Sequence, residues 1–335
     1  MNVLIAIQHR FEQWVPPAWF AERLRREFAS VQCTRVTRYA DAGPYWPEAD
    51  VLVGYSLRAE QLARAARLCW IHSTAAAVHG LMIPELVASE IVVTNASRVH
   101  GPVVAEHAWA LVLALARRLH AAWRYQQQRR WSQEELWRAR PQPREVAGAT
   151  LLLVGVGAIG GEVARRAVDS GMRVIAVREH PERGVDFLPG AENGAAVQVV
   201  GYEMLDTVLP EADFVVLAAP LTEKTRGLIG RAQLGKMKPE AYLVNVSRGA
   251  LVDEAALAEA LAARRIGGAG LDVFAEEPLP EASPLWTLPD VILTPHSASF
   301  STGIWERQYA LFAENLRRFL AGGELLGVVD KRKGY

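Results

Sequence analysis

Cysteine is nearly absent: Cys33 and Cys69 are the only two in 335 residues. Two thiols without metal-ligand spacing exclude a disulfide framework and a cysteine-rich metal site, and they fit a reducing compartment. Net charge is absent as well. The 37 basic and 37 acidic residues cancel, which gives no electrostatic ground for nucleic acid or an anionic membrane as partner. Neither a signal peptide nor a membrane span is read in the pattern, and the opening MNVLIAIQHR has the look of a first strand. The expectation is a soluble, cytoplasmic protein without repeats or low-complexity segments. What the chain has in quantity is apolar side chains, 50% of all residues, enough at this length for two cores.

The most informative stretch is TLLLVGVGAIGGEVARRAVDSGMRVIAVR, residues 150–178. Leu151 to Val154 form the unbroken apolar run of a strand buried on both faces of a parallel sheet. Gly155, Gly157 and Gly160 follow at once, then a helical pattern, then a second strand from Arg173 to Val177. Glycines at this spacing allow a sharp turn, close approach of backbone to a pyrophosphate, and tight packing of helix on strand. The helix start, Gly157 to Gly160 with Ala158 and Ile159, would present free N–H groups and a partial positive charge to phosphates.

Around this unit the chain alternates strand and helix. Strands are expected at Val3–Ile7, Val51–Gly54, Leu68–Ile71 and Ile91–Thr94, with helices at Pro17–Phe28 and Leu62–Ala66, which makes residues 1–100 a small parallel α/β domain. One long helical stretch is expected from Gly101 to Trp131, with Pro102 in its first turn. Residues 132–148, flanked by Trp131 and holding Trp137, break the periodicity and are expected to form a subunit contact. Further strands are expected at Ala212–Ala219, Ala241–Val246, Gly268–Val273 and Val291–Thr294, and a last amphipathic helix at Gly303–Leu320 that packs on the first domain.

In an open α/β sheet, ligands bind beyond the carboxyl ends of the strands. Three titratable or charged residues stand there: Arg248 after YLVNV, Glu277 after LDVF and His296 after VILT. Arginine offers a planar fork for a carboxylate and a neighbouring carbonyl. Histidine can give or take a proton near neutrality, and a carboxylate beside it holds the ring and favours the protonated form.

The stretches VAEHAWALVLALARR, LLLVGVGAIGGEVARR, LAAPLTEKTRGLI, YLVNVSRGALVDEAAL, GAGLDVFAEEPLP and VILTPHSA resemble, in order and spacing, the NAD(P)-dependent D-2-hydroxyacid dehydrogenases, from about residue 90 to 330. The resemblance implies two Rossmann-like, doubly wound parallel-sheet α/β domains, with the cofactor domain (101–296) inserted into a substrate domain made of residues 1–100 and 297–335. It implies hydride transfer between NAD(P)H and a small 2-keto acid such as glyoxylate or hydroxypyruvate. Arg248 would bind the substrate, Glu277 would orient His296, and His296 would be the general acid/base that also contacts substrate. Pro220, Thr222, Thr225, Val246 and Asp272 match cofactor-contact positions. In STAAAVHG, Ala76 and Ala77 would hold the substrate carboxylate through backbone N–H groups, Ala77 standing where the family has glycine. Ser73 and Tyr55 border that loop, whereas His72, His79 and His100 read as local hydrogen-bonders. The family's homodimer is expected, with no metal. Some relatives are NAD(H)-responsive binding proteins, corepressor-like rather than catalytic, and this is the alternative reading.

The second strand of an NAD-type fold usually ends in an acid that binds the ribose hydroxyls. Here that position is Arg178, with Arg183 close by and Glu179 next to it. Arginine pairs with a 2′-phosphate instead, which favours NADP over NAD.

Overall fold

The computed structural model describes residues 1–183 and 197–334. The chain divides into two compact units, Met1–His100 with Phe300–Tyr335, and Gly101–Ser299.

The first unit is built on a five-stranded parallel sheet. Its strands are β1 (Asn2–Ala6), β2 (Gln32–Val36), β3 (Val51–Val53), β4 (Trp70–His72) and β5 (Val92–Thr94), in the order β2-β1-β3-β4-β5. Strand β2 is absent from the sequence reading because QCTRV lies at the sheet edge and carries a half-buried arginine rather than an apolar run. Against one face pack Phe20 and Leu24 of helix Ala18–Glu27 together with Tyr309, Phe312 and Leu316 of helix Ile304–Leu320, around Ile5, Val53 and Trp70. The last helix therefore completes the core begun at the N-terminus, as expected. Phe312 stacks on Trp70 with ring centroids 5.2 Å apart.

The second unit holds a seven-stranded parallel sheet: β6 (Thr150–Val154), β7 (Arg173–Val177), β8 (Val197–Val200), β9 (Phe214–Leu217), β10 (Tyr242–Asn245), β11 (Gly268–Leu271) and β12 (Val291–Leu293). Their order is β12-β11-β10-β9-β6-β7-β8, so the winding reverses between β6 and β9. Two core clusters, one including Leu152 and Val154 and the other Leu151 and Leu153, cover the alternating sides of β6. All five residues of β6 are buried, which is why it reads as continuously apolar.

Two expectations need correction. The long helix is two helices, Ser97–Ala116 and Leu119–Gln127, with the break at Arg118, whose φ is +54° and whose guanidinium bonds Asp290 at 2.8 Å. Because the first of these begins at Ser97, Pro102 sits inside it rather than in its first turn. By length and composition alone Ser97–Ala116 is apolar enough to cross a membrane, but 56% of its most apolar window is buried inside the protein, as in a core helix. Val104, Ala108, Leu111, Val112 and Leu115 belong to a core cluster with Leu151, Val216 and Val244 of the sheet. The segment after it contains a short helix, Gln133–Arg138, and leaves Trp131 and Trp137 exposed in the single chain.

Candidate active site

The carboxyl ends of the second sheet form one continuous edge. In spatial order it carries His296 after β12, Asp272 and Glu277 after β11, Arg248 after β10, Pro220 after β9, the glycine turn after β6 and Arg178 after β7. Residues scattered over about 140 positions of sequence are thus neighbours because parallel strands present their C-terminal ends on the same side.

His296 and Glu277 are in direct contact: His296 Nδ1 lies 2.6 Å from Glu277 Oε2. The other carboxylate oxygen accepts the Phe274 N–H at 3.0 Å, which fixes the side chain's direction. Burial pushes the Glu277 carboxyl up, but the bonds from His296 and the Phe274 N–H and the charge of Arg248 outweigh it, so the group lies below the usual carboxylate range. Glu277 is therefore anionic at neutral pH. Arg248 feels burial in the opposite sense, its affinity for the proton lowered by desolvation and partly restored by Glu277. It stays charged, because an arginine begins so far above neutrality.

The turn that carries Arg248 is built by Asn245. Its Oδ1 accepts the Ser247 N–H at 3.1 Å, and its Nδ2 donates to the Arg248 carbonyl at 3.0 Å. At Gly249 a Cβ would lie 1.9 Å from the Phe274 carbonyl carbon. Only glycine lets the Arg248 turn press this closely on the segment that leads to Glu277.

Asp272 is 1% exposed and organises the loop that bears His296. Its Oδ1 accepts the Thr294 hydroxyl at 2.6 Å and the Ser297 N–H at 2.9 Å, its Oδ2 accepts the Ala298 N–H at 3.0 Å, and its carbonyl accepts the His296 N–H at 2.9 Å. His107 Nε2 lies 2.9 Å from the Thr294 hydroxyl. That hydroxyl gives its proton to Asp272, so it accepts from His107. The anchoring matters because His296 has φ +51°, a left-handed conformation that an L-residue holds only when its surroundings impose it. The sequence reading gave Asp272 to the cofactor and missed this task, along with Thr294 and His107; the charged EH pair inside an apolar helix was the one available sign.

The glycine turn fits a dinucleotide. Gly155 has φ +94°, and a Cβ there would lie 2.5 Å from Ala219; a Cβ on Gly160 would lie 2.0 Å from the Gly155 carbonyl oxygen. These two glycines are required by the fold itself. Gly157 is different, because among the described residues nothing lies within 4 Å of the position its Cβ would take. It caps the helix Ala158–Asp169, and Gly157 and Ala158 are exposed while Ile159 is half-buried. The fold thus keeps an open, donor-rich space at a helix N-terminus, which suits a pyrophosphate.

The residues expected to flank a cofactor are ordered by their own bonds. Thr225, 2% exposed, donates to the Pro220 carbonyl at 2.6 Å and accepts the Thr222 N–H at 2.8 Å, so its hydroxyl staples the loop after β9. Val246 is buried, its N–H directed at the Leu217 carbonyl. Arg178 is half-buried, and its backbone N–H donates to the Val200 carbonyl at 3.0 Å. Glu179, the acid beside it, is paired with Lys224 at 2.6 Å. The side chain of Arg183 lies outside the described residues.

In the first unit, the loop Ser73–Ala77 leaves the carboxyl end of β4, with Ala76 and Ala77 half-buried. Tyr55 follows β3 at the same edge and donates its hydroxyl to the Gln8 carbonyl at 2.8 Å. His72 bonds Thr94 and His100 bonds the Thr74 carbonyl, while His79 is exposed. Among the described residues, no cluster of three or more histidine, cysteine or acidic side chains could hold a metal.

Residues 109–298 match the family model described as the NAD binding domain of the D-isomer specific 2-hydroxyacid dehydrogenases. A glyoxylate reductase of Korarchaeum cryptofilum is 39% identical over 271 residues, covering 79% of this chain and 76% of its own. One of Aeropyrum pernix is 37% identical over 82% of this chain and 81% of its own. Among solved structures, the NADPH-dependent glyoxylate/hydroxypyruvate reductase of Sinorhizobium meliloti, in complex with NADP and sulfate, superposes with a TM-score of 0.81 at 26% identity, covering 100% of both chains. The reading as a non-catalytic binding protein is not favoured beside such relatives. This chain belongs to the D-isomer specific 2-hydroxyacid dehydrogenase family, the NAD(P)-dependent oxidoreductases of small 2-keto and 2-hydroxy acids.

Proposed function

We propose that this enzyme reduces glyoxylate, hydroxypyruvate or a similarly small 2-keto acid, with NADPH preferred to NADH. The observation that carries the reading is the 2.6 Å contact of His296 with an anionic Glu277, held beside the charged Arg248 on adjacent strand ends. Glu277 fixes the ring through Nδ1, which leaves Nε2 to give its proton to the carbonyl oxygen of the keto acid. Arg248 binds that oxygen and steadies the negative charge that grows on it. Asp272, Thr294 and His107 keep the His296 loop in place while this happens. When bound, the nicotinamide supplies the hydride.

The residues assigned to the cofactor are Gly155, Gly157, Ala158, Ile159 and Gly160 for the pyrophosphate, Arg178 for a 2′-phosphate, and Pro220, Thr225, Val246 and Asp272 for the nicotinamide side. Pairing of Glu179 with Lys224 supports the NADP preference, since it occupies the nearest acid that could otherwise bind ribose hydroxyls. The backbone N–H groups of Ala76 and Ala77 take the substrate carboxylate. The working form is a homodimer whose contact uses the exposed Trp123, Trp131 and Trp137, and the enzyme resides in the cytoplasm, where the free thiols Cys33 and Cys69 stay reduced. The test is oxidation of NADPH in the presence of glyoxylate and hydroxypyruvate by the wild-type protein and by His296→Ala. Turnover by the first and its loss in the second are expected; equal rates in both would remove His296 from the reaction.

A further inference from the structure

The loop Ser73–Ala77 is tied back to its own unit by every carbonyl along its middle. The Thr74 carbonyl receives two side-chain donors, Gln308 Nε2 at 2.7 Å and His100 Nε2 at 3.1 Å. The Ala75 carbonyl receives the Ala96 N–H at 3.2 Å and the Ser73 hydroxyl at 3.2 Å. The Ala76 carbonyl receives Asn95 Nδ2 at 3.0 Å. Asn95 is in turn held by its N–H on the Gly327 carbonyl at 2.9 Å and by its Oδ1 on the Ser97 N–H at 3.2 Å.

A peptide plane whose carbonyl is drawn to one side must aim its N–H to the other. The Thr74 plane carries the Ala75 N–H, which donates to the Ser73 hydroxyl at 3.2 Å. The Ala75 and Ala76 carbonyls, drawn inward, share their planes with the N–H groups of Ala76 and Ala77 and leave them directed away from these anchors; among the described residues neither of these two N–H groups meets an acceptor. The anchoring at Thr74 is buried and specific. Gln308 is 2% exposed, His100 is 6% exposed, and Gln308 reaches the loop from a helix more than 230 residues away in sequence. Burial favours the neutral form of His100, and with Nε2 protonated a neutral ring donates to the carbonyl.

We infer that His100 and Gln308 are positioning residues for substrate binding, a two-donor clamp on the Thr74 carbonyl that anchors the start of the loop from which the Ala76 and Ala77 N–H groups meet the substrate carboxylate. The inference rests on the proposed role of this loop. Neither side chain touches substrate in this account; each acts through the backbone it holds.

The test is steady-state kinetics with glyoxylate and NADPH on Gln308→Met, His100→Leu and His100→Gln, with oxalate as a competing dicarboxylate. Methionine keeps the length of Gln308 without its donor, and glutamine places an amide N–H near the position of the His100 Nε2. Expected are a KM for glyoxylate and a Ki for oxalate about tenfold higher in Gln308→Met and His100→Leu, in line with the loss of one hydrogen bond to a buried carbonyl. kcat and the KM for NADPH stay within about twofold, and His100→Gln recovers the wild-type KM. Unchanged KM and Ki in both Gln308→Met and His100→Leu, or a uniform loss in every parameter, would overturn the clamp. A crystal of the wild-type enzyme with NADP and oxalate separates the two claims. Oxalate lying away from the Ala76 and Ala77 N–H groups refutes the role of the loop itself, whereas oxalate bound there with unaltered clamp variants refutes the clamp alone.

Discussion

Replacing Gly157 by alanine and, separately, Gly160 by alanine divides the glycine turn into its two functions. The Cβ introduced by Gly160→Ala would lie 2.0 Å from the Gly155 carbonyl oxygen, where ordinary contact begins at 3.4 Å. The helix Ala158–Asp169 must therefore withdraw from β6 by about 1.4 Å or the turn must open, and overpacking of this kind costs about 1–3 kcal/mol. At about 2–4 °C per kcal/mol in a domain of this size, the apoprotein's Tm should fall by several degrees. Among the described residues the methyl group of Gly157→Ala meets nothing within 4 Å, and the backbone there has φ −101°, open to any L-residue. Its effect on stability is that of a poorer N-cap, about 1 kcal/mol or less. The same methyl group, however, fills the space that the proposed pyrophosphate site assigns to phosphate oxygens. Losing one charge-assisted hydrogen bond there costs about 1.5–3 kcal/mol, which raises the Kd for NADPH about ten- to a hundredfold. Differential scanning fluorimetry of the apoprotein and fluorescence titration with NADPH measure the two effects independently. A Gly157→Ala protein that is stable and binds NADPH as the wild type does would place the cofactor elsewhere.

Three further outcomes follow from the same geometry. Arg248→Lys keeps the charge and loses the planar fork, so kcat/KM for glyoxylate should fall at least about a hundredfold; near-normal kinetics would remove Arg248 from substrate binding. Arg178→Asp should weaken NADPH more than NADH, and a wild-type enzyme that prefers NADH would defeat the assignment of a 2′-phosphate partner. Burial pushes His72 down to about 3, with Nε2 unpartnered. A group whose folded pKa is depressed contributes stability that is fully present above its unfolded value, near 6.5, and is lost as pH falls toward the folded one. Acidification from pH 7 to 4 should therefore cost at most about 3 kcal/mol through this residue alone, read as a falling urea midpoint. His72→Gln should flatten that slope, and an unchanged slope would show that His72 does not carry it.

The parts of this enzyme that were legible in the sequence are those where burial is complete. Leu151–Val154, Phe214–Leu217 and Tyr242–Asn245 are covered on both faces, so their apolar runs announce a parallel sheet, and Arg248, Glu277 and His296 stand out as polar residues just beyond such runs. The edge strand Gln32–Val36 was hidden because edges need not be apolar. The break at Arg118 was hidden for another reason: its left-handed backbone is held by Asp290, 172 positions away, and no local pattern contains that ion pair. The supports of the site, Thr294 and His107 for the His296 loop and Gln308 for the Ala76 loop, share this property.

The split make-up of the first unit also dictates an order of assembly. As the chain leaves the ribosome, residues 1–100 emerge with their sheet but without Tyr309, Phe312 and Leu316, which close one side of it. The second unit, contiguous from Gly101 to Ser299, can finish while that side is covered only by the helix Ala18–Glu27. Synthesis halted before residue 304 would release a nascent product that is half mature and half sticky, so the protein's vulnerability to aggregation lies in the interval before its last helix arrives.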